Sequence, residues 1–81
     1  MYTQTSVITE ETARHVLWHY GRPGGIQAGS FTENLIVAID MADLPNRALI
    51  ALGFPELVAA VILIKDDPHG VKRLQQIAGA A

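Results

Sequence analysis

The 81-residue sequence contains no cysteine, which excludes a disulfide framework and any zinc site built on thiolates. Charge is scarce, at 17% Asp, Glu, Lys and Arg, against ~25% in ordinary globular chains. Neither sign dominates: 6 Lys and Arg stand against 8 Asp and Glu, a formal net charge of −2. Arg14 and Arg22 are outnumbered by Glu10, Glu11, Glu33 and Asp40 in the first half, and the second half is balanced. No basic face follows from this, so no nucleic-acid partner is expected. The polar stretch Met1 to Thr12 lacks the apolar core of a signal peptide. The longest apolar run, 48–64, is interrupted by Gly53, Pro55 and Glu56. A carboxylate at a bilayer centre costs about 3 kcal/mol, and Gly with Pro splits the run into two short helices, so no membrane partner is expected.

What the chain has instead is apolar residues, 49% of the total. That fraction excludes disorder over most of the length. Periodicity predicts helices throughout. Thr9 is the expected N-cap of the first, with Glu10 and Glu11 favouring the positive end of its dipole. Ala13, Val16, Leu17 and Tyr20 follow at helical spacing, and Gly21 stops it. Gly21, Gly24, Gly25 and Gly29 make the next stretch a loop. Ser30-Phe31-Thr32-Glu33 reads as a capping box, opening a second helix with Phe31, Leu35, Ala38, Ile39 and Ala42 on one stripe. Ile36, Val37 and Met41 widen that stripe beyond half the circumference.

Asp43 is the expected cap of a third helix, with Pro45 in its first turn and Arg47 placed to donate back to Asp43. Pro55 restarts the chain as a fourth helix, whose run from Leu57 to Ile64 is entirely apolar. Such a helix belongs in the centre of a bundle or between subunits. Asp67 and Pro68 open the last helix, with Val71, Leu74, Ile77 and Ala78 inward and Gly70 as a weak point. The expected architecture is all-α: a compact bundle of four or five short helices with the fourth, about 55–65, central. The expected organisation is a flexible N-terminus over 1–8, one helical domain over 9–78 and a frayed end over 79–81.

Candidate chemistry is thin. Glu11, His15 and His19 fall on one face of the first helix, the only spacing that suits a metal. No carboxylate follows His15 in the zinc-protease pattern, so an exposed polar stripe is the simpler reading, and no metal is expected. The glycine loop before Ser30 lacks the lysine of a phosphate loop. No nucleophile sits in a recognisable elbow. No catalysis and no cofactor are therefore expected. A helix-turn-helix at Gly53 would make the fourth helix the DNA reader, and that helix lacks the polar start a reader needs.

The segment Gly29-Ser30-Phe31-Thr32-Glu33-Asn34-Leu35-Ile36-Val37-Ala38-Ile39, with Ala42-Asp43, Asn46-Arg47 and Leu52-Gly53-Phe54-Pro55-Glu56-Leu57-Val58-Ala59-Ala60-Val61, resembles small helical proteins of actinobacteria and their bacteriophages, whose function is not established. The resemblance covers roughly 14–64. It implies a compact helical body in the host-cell cytoplasm and, as a type, an accessory protein that binds other proteins. It brings no catalytic residue and no cofactor.

A helical body this small cannot hide the broad apolar faces of both its second and fourth helices. Leftover apolar surface marks an interface. The expected function is non-catalytic protein–protein interaction, as a homodimer or small oligomer or with a host protein as partner. The candidate interface residues are Trp18, Ile26, Ile36, Val37, Met41, Phe54, Val58 and Ile62. The alternatives are a small helical DNA-binding regulator and a membrane-associated protein using 48–64.

Overall fold

Thr9 opens the first helix as its side chain predicts, its hydroxyl accepting from the Thr12 backbone N–H. The computed structural model describes residues 7–79. Within them lie five helices: α1 (Glu10–His19), α2 (Ser30–Met41), α3 (Leu44–Gly53), α4 (Pro55–Asp66) and α5 (Gly70–Ile77). There is no strand among the described residues. The ends 1–6 and 80–81, where loose termini are expected, lie outside the described residues; Ile8 packs against the core.

α4 is the hub. It packs against each of the other four helices, and Leu57, Val58, Ala60 and Val61 are buried on it. Its all-round apolar run is thus met by neighbours on most sides, with Ile62 left partly exposed. Ala13, Val16 and Leu17 of α1, Ile36 and Ile39 of α2, and Leu74 of α5 complete the core with Ala78. Gly21 ends α1 in the left-handed region, at φ 70°, and the Arg22 N–H reaches back to the Leu17 carbonyl at 2.9 Å, closing the turn as glycine C-caps do. Asp43 caps α3 by accepting from the Asn46 N–H at 3.0 Å.

Several expectations need correction. Ser30 and Glu33 form no capping box: α2 starts at Ser30 with Gly29 as N-cap and no side-chain bond. Glu33 is drawn instead to His19, 2.9 Å away. The inward stripe of α2 is consequently rotated, with Ile36 and Ile39 fully buried while Phe31 is 67% exposed. Arg47 does not bond the Asp43 side chain; its guanidinium reaches the Ile39 carbonyl at 3.4 Å. Asp67 does not cap α5 directly. It accepts from the His69 N–H at 2.7 Å, turning the chain so that the helix begins at Gly70. Ile77 faces partly outward, leaving Leu74 and Ala78 as the buried residues of that end.

Helix ends are closed by side chains of other helices. α2 has no basic residue in its last turn, yet Lys65 of α4 donates to the Asp40 carbonyl at 3.0 Å and Arg47 of α3 to that of Ile39. α5 likewise lacks a basic last turn, and Arg14 of α1 donates to the Ala78 carbonyl at 2.9 Å. Cations at carbonyl ends satisfy orphan acceptors and the helix dipole together.

Candidate functional site

α3 is nearly free of polar side chains. Asn46 and Arg47 are its only ones, and they are adjacent in sequence. Helical spacing puts Arg47, Ile50 and Ala51 on one side, and these are the half-buried positions of the helix. Leu44, Pro45, Ala48, Leu49 and Leu52 fall on the other, and all are exposed. The exposures of Leu44, Leu49 and Leu52 are 77%, 64% and 82%. α3 has no buried residue at all, and the helix it packs on is α4. A helix without a polar face belongs in an interior; this one lies on the outside.

Apolar side chains are also exposed just beyond both ends of α3. Met41, the last residue of α2, is 76% exposed, and Phe54, the turn into α4, is 41% exposed. The Phe54 ring leans on Phe31, with centroids 5.9 Å apart. These rings border an open cleft of about 350 Å³, which Glu11, His15, Thr32 and Glu56 also line. Beyond them, Val37 and Ile62 are partly exposed on α2 and α4, as are Trp18 on α1 and Ile26 in the glycine loop. Of the residues expected at an interface, Ile36 and Val58 belong to the core and do not reach the surface. Leu44, Leu49, Leu52 and Phe31 were not on that list. The signal that finds the three leucines is the missing polar face of α3, since its two polar residues fall side by side and cannot cover the outward arc.

The His and Glu residues of α1 do not converge. Glu11 is exposed and His15 half-buried, whereas His19 turns away to Glu33 and sets its ring edge against Tyr20, centroids 4.9 Å apart. Among the described residues no three His, Cys, Asp or Glu side chains gather as a metal would need. No helix among them is long and apolar enough to cross a membrane. The segment 48–64 is folded back on itself, part α3 and part α4, with the turn at Phe54. α4, the helix that a helix-turn-helix would lay in a DNA groove, packs against the other four helices.

Polar side chains cluster where helices clamp one another. The Tyr20 hydroxyl donates to Asp40, which is also paired with Lys65 at 3.0 Å. Burial, then the Asp40 hydrogen bond and charge, push the Tyr20 hydroxyl well above its ordinary 10. The same bond from Tyr20, followed by that from Lys65, holds Asp40 below its ordinary 3.8. At the other end of α1, Glu56 accepts from the Thr9 N–H at 2.8 Å and from its hydroxyl. Burial opposes ionisation of Glu56, but the donors of Thr12 and Thr9 outweigh it and hold the carboxyl below 4.5.

These groups shape the pH dependence of folding. Tyr20 has a raised folded pKa, so its contribution is fully present below pH 10 and is lost as pH rises above that value. Asp40 and Glu56 have lowered folded values, so their contributions are present above 3.8 and 4.5 and are lost as pH falls through the depressed values. In urea unfolding across pH, Tyr20→Phe should flatten the alkaline decline and Glu56→Gln the acid one. An alkaline slope unchanged in Tyr20→Phe would contradict the clamp.

In comparisons with protein-family models, curated proteins and solved structures, nothing matches the chain.

Proposed function

We propose that the protein acts by non-catalytic association with other protein chains, and that the outer face of α3 is its contact surface. The observation that carries this reading is a helix with no buried residue and three leucines exposed by 64–82%. Water-exposed apolar side chains in one strip are stabilised by a protein partner at about 25 cal/mol per Å² covered. Isolated exposed leucines are common; a whole helix face is not. The clamps among Tyr20, Asp40, Lys65, Thr9 and Glu56 tie helices to each other and account for the polar groups as structure. The resemblance to small proteins of actinobacteria and their phages supports an accessory role in a host cytoplasm, with self-association or a host protein as the outcome.

The test is a polar-face variant, Leu44→Gln with Leu49→Glu and Leu52→Lys. The reading expects it to keep the helical circular dichroism of the wild type and to lose the complexes the wild type forms, measured by light scattering and cross-linking. A variant that fails to fold at a dilution where the wild type is a folded single chain would place a segment of the same chain on this face and overturn the reading.

A further inference from the structure

We propose that the occupant of the α3 face is a second copy of this chain, seated with its α3 antiparallel across a two-fold axis at Ala48. The proposal rests on the reading of α3 as a contact surface and names its partner. Its first support is the extent of exposed apolar side chain. Met41, Leu44, Leu49, Leu52 and Phe54 are exposed by 76%, 77%, 64%, 82% and 41%, with Pro45 and Ala48 also exposed between them. The largest apolar patch of an ordinary monomer is ~300–600 Å², and a standard interface takes ~800 Å² from each partner.

The second support is the order of residues along the strip. Ala48 is its smallest member and lies at its centre, with Leu44 one turn before and Leu52 one turn after. A two-fold axis through Ala48 sets Leu44 of each copy against Leu52 of the other. Two alanines on the axis let the backbones approach closely, as small residues do wherever helices cross tightly. A patch that complements itself under a two-fold rotation is what an isologous dimer requires.

The third support is charge. The outward arc of α3 carries none, because Arg47 is turned to the Ile39 carbonyl and Asp43 is engaged at the helix start. A second copy therefore meets no like charge across the axis. A membrane surface is a poorer match, since helices that lie on lipid carry Lys and Arg along the flanks of the apolar face, and α3 has no basic residue other than the inward Arg47.

The chain has no cysteine, so an introduced thiol has no competitor. Ala48→Cys tests the axis and Lys72→Cys, on the exposed side of α5, serves as the control. Disulfides need Cα atoms within about 7 Å, so mild oxidation should convert most of Ala48→Cys to a covalent dimer and leave Lys72→Cys largely uncoupled. The unmodified protein at about 100 µM, suited to interfaces whose affinities begin in the micromolar range, should sediment at twice the 8.8 kDa chain mass. The proposal is overturned if the unmodified protein sediments as one chain, or if Ala48→Cys couples no faster than Lys72→Cys. A monomer whose polar-face variant still folds assigns the surface to a different protein and leaves the functional reading standing. A polar-face variant that is unfolded at a dilution where the wild type is a folded single chain removes both.

Discussion

Replacing Gly70 with alanine should cost about 3 kcal/mol of stability, near the top of the range for overpacking a tight site. The sign is informative because glycine-to-alanine inside a helix ordinarily gains up to ~1 kcal/mol. Here a methyl group at Gly70 would stand 1.9 Å from the Leu63 carbonyl oxygen and 2.9 Å from the Ile64 Cα. Those are backbone atoms of α4 and cannot turn aside as a side chain would. α5 would have to lift from α4, drawing Leu74 and Ala78 out of the core and Arg14 away from the Ala78 carbonyl. A domain of this length holds roughly 4–12 kcal/mol in all, so the loss is a large part of the whole. Urea unfolding measures it, and a neutral or stabilised Gly70→Ala protein would mean that α5 does not pack on α4 this closely.

Leu17→Ala should cost a similar amount, about 3 kcal/mol, within the ~2–5 kcal/mol of buried leucine truncations. Leu17 has no exposed surface and is among the largest fully enclosed side chains. It sits on α1 and shares the core with α2, α4 and α5. α5 sits against the α4 backbone at Gly70, so the site has little freedom to collapse around the missing atoms. The comparison with Leu52→Ala sharpens the result, because Leu52 is 82% exposed and its truncation should cost the monomer less than about 0.5 kcal/mol. Equal losses at the two leucines would contradict the assignment of inside and outside.

Much of the local chemistry was readable along the chain, although the Ser30–Glu33 capping box and the Asp67 cap do not form, and azimuth was not readable. Thr9 and Asp43 cap as their side chains predict, Gly21 stops α1, Pro55 starts α4, and the run from Leu57 to Ile64 forms the central helix. Each depends on neighbours in sequence. The orientation of α2 does not, because apolar residues cover more than half its circumference and periodicity alone leaves the inward direction loosely set. Asp40 and Glu33 decide it by turning to Tyr20, Lys65 and His19, which lie on other helices. Gly70 looked like a flaw in a helix and is a contact between two. The exposed face of α3 was legible in principle: Leu44, Pro45, Ala48, Leu49 and Leu52 share an arc that Asn46 and Arg47 cannot shield. The longer apolar runs of α2 and α4 mask it in the sequence, although most of the apolar surface of α4 goes to the core.

The most direct measurement of the central claim is the unfolding free energy of the Leu44→Gln, Leu49→Glu, Leu52→Lys protein, at a dilution where the wild type is a single chain. If the α3 face is reserved for another molecule, water covers it in the monomer and charge there is tolerated. The variant should then unfold within about 1 kcal/mol of the wild type, as surface substitutions do. A loss of about 3 kcal/mol or more, the cost of disrupting a packed interior, would contradict the account and place that face against the chain itself.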